Sequence, residues 1–209
     1  MINWTFEAGL KTSADIVQVA TDSNRIYDLF SNGNAVMTAS NHISGTDRVF
    51  EAVSKINLND NDVIINVQGD EPFINPEDIN NLFDLTSKEE ISMATLYSDS
   101  KSFNELEDLN IVKVIVNNEI ALNFFRETSS KDNVFIHQGI YAFKYKTLKN
   151  FVSWEPSVNE KQYKLEQLRA LDNGVKINAI KSVSKIHLGV DTEEDLKKAN
   201  EIAKEDSYK

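Results

Sequence analysis

The stretch DVIINVQGDEPFINPED, residues 62–78, constrains the fold more than any other part of this chain. Its first six residues are almost all apolar and do not alternate with polar ones. A strand with one wet face alternates, whereas a strand covered on both faces need not, so the run predicts a strand in a parallel sheet flanked by helices. The run stops at Gln68-Gly69, and Asp70 and Glu71 follow directly. Asn75 can then cap a helix with Pro76 at its first position and Glu77 and Asp78 against its positive end. Open α/β sheets bind ligands beyond the carboxyl ends of their strands, which is where Gly69 and Asp70 fall. Gly69 permits a sharp turn and close approach of a ligand. Asp70 offers a hard oxygen suited to Mg²⁺. A solvated loop whose acids merely precede a helix explains Glu77 and Asp78 well and Asp70 poorly.

The rest of the chain alternates short apolar strands with amphipathic helices. Helices are expected over 3–12, 24–31 and 45–56, the last with Val49, Val53 and Ile56 on one stripe. Strands are expected over 15–20, 35–38 and 92–96. The pattern then changes. Residues 111–117 and 120–125 read as a hairpin around Asn117-Asn118-Glu119, and 134–143 as a further strand. Helices are expected at 145–152 and 160–173, the latter stopped by Asn173-Gly174, with a strand over 175–180. Thr192 and Asp195 form a capping box that opens a final helix over 193–204. The expected fold class is α/β: a mostly parallel, Rossmann-like sheet flanked by helices, with a smaller mixed-sheet part. Its 209 residues suit one domain, with a subregion at about 108–160.

Composition removes several functions. The formal net charge is −11, which argues against a nucleic-acid backbone or an anionic membrane as partner. A small anion is still compatible, because local cations or a metal reverse the sign of one cleft. There are no cysteines, so disulfides, zinc–thiolate sites and cysteine nucleophiles are excluded. Three histidines make an all-histidine metal site unexpected. No apolar run approaches the roughly 20 residues of a membrane helix. The N-terminus lacks the basic start and apolar stretch of a signal peptide, and a cytoplasmic location is the default.

Further candidates come with competing explanations. Asp191 follows Gly189 just before the capping box. It is either a second strand-end carboxylate that shares a metal with Asp70 or an acid near a helix dipole. In SGTDR (44–48), Ser44 or Thr46 can cap a helix whose free N–H groups could also accept an anion. His42 beside it reads as a surface residue. In IHQGIYAF (136–143), His137, Gly139 and Tyr141 share one strand face, either as the wall of a polar site or as the wet side of an edge strand. In LEQLR (165–169), Leu165 and Leu168 supply a core face, while Glu166, Gln167 and Arg169 would be taken as solvated.

Taken together, HISGTDR (42–48), NVQGDEP (66–72), HQGIYAF (137–143), KLEQLR (164–169) and GVDTEEDL (189–196) resemble the 3-deoxy-manno-octulosonate cytidylyltransferases in order and spacing. The resemblance runs from Met1 to about Ala203. It implies an α/β nucleotidyltransferase fold, a homodimer and a Mg²⁺-dependent reaction for lipopolysaccharide assembly. In that reaction CTP and 3-deoxy-D-manno-octulosonate (Kdo) give CMP-Kdo and diphosphate. It implies Asp70 and Asp191 as catalytic metal ligands, and Gln68 near the cytosine with Ser44 at the same end. His137, Tyr141, Glu166 and Gln167 would surround the sugar acid, and Arg126 would face the substrate. Two neighbouring readings are an inactive sugar-binding relative and a cytidylyltransferase for a related acid sugar such as 8-amino-Kdo.

The resemblance has departures. The family opens with a strand and a loop P-A-R-x-x-S-x-R-L-P-G-K that wraps the triphosphate, whereas MINWTF aligns with the helix after it. The chain as written is therefore expected to be an N-terminally shortened, weakly active or inactive member, unless the 15–20 and 62–67 strands close up on each other. Ala39 stands where the family usually has arginine, and the loop after Arg126 is short.

Overall fold

A computed structural model describes residues 1–30, 33–100, 103–127, 133–184, 186 and 188–204, apart from the side chains of residues 103 and 104. The first half carries α1 (Ile2–Leu10), β1 (Val19–Thr21), α2 (Asn24–Tyr27), β2 (Ala35–Met37), α3 (Gly45–Val53), β3 (Val63–Asn66) and α4 (Pro76–Thr86). Next come β4 (Met93–Ser98), α5 (Phe103–Glu107), β5 (Lys113–Asn117), β6 (Ile120–Phe125) and β7 (Val134–Lys144). The chain continues through α6 (Tyr145–Ser153), α7 (Val158–Tyr163), α8 (Gln167–Asp172), β8 (Ile177–Lys181) and α9 (Glu193–Lys204).

The strands form a mixed sheet flanked by helices, with a smaller sheet beside it. β1 and β2 pair in parallel as a two-stranded sheet, and the larger sheet runs β3-β7-β4-β8-β6-β5. β7 organises the larger sheet. Its C-terminal half pairs with β3 (Asn66 opposite Tyr141) and its N-terminal half with β5 (Ile115 opposite Val134). β4 lines its other edge throughout, with a bulge that shifts the register at Thr95/Leu96. Because β5 also pairs with β6, β6 with β8 and β8 with β4, five strands close into a ring.

Local chemistry explains α3 and α4. Asn75 accepts the Glu77 N–H at 3.0 Å, Ile79 is buried, and Leu82 and Leu85 pack α4 against Leu96, Ile140 and Ala142. Each large apolar side chain so buried contributes about 1.5–3 kcal/mol. Ser44 caps α3 by accepting the Asp47 N–H at 3.2 Å. A second core, on the opposite side of the sheet, joins Val114, Phe124 and Phe143 to Phe151 of α6 and Leu168 of α8.

Several expectations need correction. The strand expected at 15–20 is a strand only at Val19–Thr21, because only those residues have a partner in β2. The helix over 24–31 shrinks to one turn at Asn24–Tyr27, and residue 31 lies outside the described residues. The apolar run at 62–67 is not a central parallel strand: β3 is half-buried and pairs antiparallel to β7 alone. It does not close up on the 15–20 segment either, since β1 and β3 belong to different sheets. The helix over 160–173 is two helices, broken at Lys164, whose φ of 54° and ψ of 47° are left-handed. Asp78 is more than a dipole partner. It is fully buried, accepting the Ser182 hydroxyl at 2.5 Å and the Val183 and Ser184 N–H groups at 2.8 and 3.3 Å, and so ties the segment after β8 to α4. The short loop after Arg126 falls, at 128–132, outside the described residues.

Candidate active site

A cavity of about 580 Å³ lies where the start of α3, the end of β3, the middle of β7 and the α7–α8 break meet. Ser44, Gln68, Arg126, His137, Tyr141, Glu166 and Gln167 all line it. Those residues are spread over more than half the sequence, and the fold brings them to one surface. Asp70 and Asp191 are not part of that lining.

Gln68 is seated on the first turn of α3: a Cβ on Gly45 would lie 2.9 Å from Gln68 Nε2, so glycine is what allows the approach. From there a hydrogen-bond relay crosses the cavity floor. Gln68 donates to Asn66 at 3.4 Å, Asn66 to the Thr46 hydroxyl at 3.2 Å, and Thr46 to Glu166 at 3.0 Å. Burial raises the Glu166 pKa, while the neighbouring Ser44 hydroxyl and the hydrogen bonds donated by Thr46 pull it back. Ser44 both caps α3 and lines the cavity.

His137 and Tyr141 stand on the same face of β7, ring centroids 5.5 Å apart, and both are buried. β7 is interior to the sheet, so the wet-edge explanation of this stripe does not apply. The Thr95 hydroxyl donates to the Ile140 carbonyl at 2.7 Å, which leaves its oxygen to accept from His137 Nε2 at 2.9 Å. His137 therefore carries its proton on Nε2 and keeps Nδ1 as an acceptor. Burial depresses its pKa to about 3. The unfolded chain, with an ordinary value of about 6.5, binds a proton that the folded chain refuses throughout this window. Stability contributed by His137 is accordingly present above pH 6.5 and lost as pH falls toward 3, by about 1.4 kcal/mol per unit. Urea unfolding at pH 7.0 and 5.5 is expected to show a smaller loss for His137→Gln than for the unaltered chain.

Lys164 ends α7 in the left-handed region, and this turns Glu166 toward α3 rather than to solvent. Gln167 and Arg169, taken from composition as solvated, are buried. Arg169 is only 1% exposed; it binds Glu160 through two nitrogens at 2.8 and 2.6 Å and Asp47 at 3.2 Å, with its guanidinium 4.4 Å over the Phe151 ring. Burial alone would lower its pKa, but the hydrogen bonds it donates to Glu160 and Asp47 override this and hold the charge firmly. Asp47 in turn accepts the Ser44 hydroxyl at 2.7 Å. Arg169, Asp47 and Glu160 were not legible as site-supporting residues; a Glu-Gln flanked by leucines gives no sign of a partner 122 positions away.

Arg126 donates to the carbonyls of Leu109 and Asn110 at 3.2 and 2.8 Å, and the buried Lys113 holds the Arg126 carbonyl at 2.6 Å. His42, expected at the surface, is half-buried and bonded to Glu51 at 2.6 Å.

Asp70 and Asp191 lie near each other, although among the described residues no strand directly precedes Asp191, contrary to the strand-end placement expected for it. The Val190 N–H donates to the Asp70 carbonyl at 3.0 Å. Burial, and then the charge of Asp191, raise the Asp70 pKa. Burial, Asp70 and Asp191 together raise Glu71 to about 7. Gly69 does not offer open space to a ligand: a Cβ there would meet Ile2 Cδ1 at 2.8 Å, and Thr5 donates to the Glu71 carbonyl at 3.2 Å, so α1 packs on this turn. Among the described residues, no set of three or more His, Asp or Glu side chains could hold a metal unaided. Mg²⁺ does not require one; it takes one or two carboxylates and fills its shell with waters and substrate phosphates. Two mutually repelling carboxylates on adjoining loops fit that donor set.

Known proteins bear on this arrangement. The cytidylyltransferase family matches residues 1–177. The 3-deoxy-manno-octulosonate cytidylyltransferase of Photobacterium profundum is 36% identical over 218 aligned positions, covering 97% of this chain and 88% of its own length. That of Coxiella burnetii is 36% identical, with 95% and 87% covered. Among solved structures, CMP:2-keto-3-deoxy-manno-octonic acid synthetase complexed with CTP superimposes with a TM-score of 0.86 at 33% identity, over 96% of this chain and 86% of the other. The 2-C-methyl-D-erythritol 4-phosphate cytidylyltransferase of Francisella tularensis shares the fold, with a TM-score of 0.66 at 16% identity over 95% of this chain and 86% of that one.

Proposed function

The chain belongs to the 3-deoxy-manno-octulosonate cytidylyltransferase family, and we propose that its reaction is CTP + Kdo → CMP-Kdo + diphosphate, supplying lipopolysaccharide assembly in the cytoplasm as a Mg²⁺-dependent homodimer. At the family level it is a cytidylyltransferase acting on an acidic sugar. Among the described residues no helix is long and apolar enough to cross a membrane. The observation that carries the finer reading is the single cavity in which Gln68 and Ser44 meet His137, Tyr141, Glu166 and Gln167.

In this reading the anomeric hydroxyl of Kdo attacks the α-phosphorus in line and diphosphate departs. Such transfers ask for positioning and charge neutralisation rather than a protein nucleophile. Gln68, fixed on α3, orients the cytosine, and Ser44 lies at the same end. Neutral His137 accepts a sugar hydroxyl at Nδ1, and Tyr141, Glu166 and Gln167 bond the others. Arg126 borders the acid. Asp70 and Asp191 would hold Mg²⁺, which when bound neutralises phosphate charge and lowers the pKa of the attacking hydroxyl. With CTP, Kdo and Mg²⁺, diphosphate release is expected, at a low rate for the chain as written and a higher one once a P-A-R-x-x-S-x-R-L-P-G-K loop precedes it. A neutral hexose, or 2-C-methyl-D-erythritol 4-phosphate, in place of Kdo is expected to give none. Release with either at the Kdo rate would overturn the substrate assignment.

A further inference from the structure

We propose that Lys161 and Lys164, together with Arg126, receive the carboxylate of the sugar acid and set the preference for an acid over a neutral ligand; the inference rests on the reading of the cavity as a sugar-acid site. All three cations border the same cavity, in a chain whose net charge is −11. The overall field repels anions, so binding one requires a local reversal of sign.

The nearby charges show why these lysines are available. Glu160, next to Lys161, is engaged by Arg169 on both oxygens. Among the described residues neither lysine ammonium has a hydrogen-bond or ion-pair partner. Arg126 directs Nη1 to two backbone carbonyls, which leaves its other N–H donors.

Backbone geometry singles out Lys164. It ends α7 at φ 54°, a position that glycine occupies without steric penalty and asparagine at little. A lysine at the end of a helix ordinarily complements the helix dipole, and that accounts for Lys161. It does not account for a β-carbon kept in left-handed backbone at Lys164, where glycine would serve the helix end better. A side chain retained against conformational preference at a cavity mouth points to a contact outside the protein.

The test uses Lys161→Met/Lys164→Gly. Calorimetric binding of Kdo and of its methyl ester is measured with a non-cleavable CTP analogue and Mg²⁺ present, and diphosphate release from CTP and Kdo is followed in parallel. The double variant is expected to bind Kdo on the order of tenfold more weakly while its affinity for the ester is unchanged. Its thermal midpoint is expected to be unchanged or higher, because Lys164→Gly relieves the left-handed backbone. Lys161→Arg/Lys164→Arg should restore the preference for the acid. Kdo binding within twofold of the unaltered chain would overturn the lysine assignment while leaving the reaction standing. Lysine-dependent Kdo binding without diphosphate release would uphold the lysines and overturn the reaction. Absence of Kdo binding to the unaltered chain would overturn both.

Discussion

Asp191→Asn is expected to cut diphosphate release from CTP and Kdo by at least about 10³-fold, roughly 4 kcal/mol of transition-state stabilisation. Asp70→Asn should match it. Each carboxylate carries about half of the protein's share of a magnesium site that otherwise relies on water and phosphate oxygens. An amide keeps the shape and one oxygen but discards the charge. The two losses should also fail to add, since a site already emptied by one substitution has little left for the second to remove. Asp191 is exposed, so its replacement should leave the circular dichroism and thermal midpoint unchanged. Turnover within tenfold of the unaltered chain for both variants would sink the shared-ion assignment.

The second large effect is on stability. Arg169→Met removes the cation that neutralises Glu160 and Asp47 and leaves Glu160 as a buried, unpaired acid. Breaking a buried pair from one side costs about 3–5 kcal/mol, which for a chain of this size lowers the thermal midpoint by roughly 10 °C. Activity should suffer beyond the loss of folded protein. Asp47 would no longer be fixed under Ser44, and the α7–α8 break that aims Glu166 would loosen. Lys at this position keeps the charge but not the two-nitrogen grip on Glu160, and should recover only part of the loss. Urea unfolding decides it: a change under 1 kcal/mol for Arg169→Met would show that the ionic cluster is not what joins α3 to α8.

The contrast between these two sites shows where sequence reasoning reaches. Asp70 and Asp191 stand out as candidates because each sits just past a glycine at the end of an apolar run, a local pattern that singles a residue out without reference to the rest of the chain. The β7 stripe of His137 and Tyr141 was visible because period two is a property of the strand itself. Arg169 was hidden, and Glu166 could be singled out only through the family resemblance, because their surroundings are built from a distant segment. Thr46 and Asp47 meet them across 120 and 122 positions, and nothing within LEQLR encodes that meeting. The same limit explains the strand errors. The apolar run at 62–67 signals burial, but its neighbour and its direction are set by β7, and the 15–20 segment is a strand only as far as β2 reaches. The helix break at Lys164 escaped because no glycine or proline marks it.

β7 displays a cavity wall and part of the hydrophobic core on alternating residues of one strand. His137 and Tyr141 look into the cavity, while Ile140 and Ala142 pack under α4. Inserting or deleting one residue there would exchange the two sets, sending aromatic and imidazole groups into the core and aliphatic ones into the cavity. Descendants of this chain can therefore retune that wall only by swapping one side chain for another. The turn from Lys164 to Glu166 is under the same constraint, since Leu165 is buried in the core between two residues of the cavity lining.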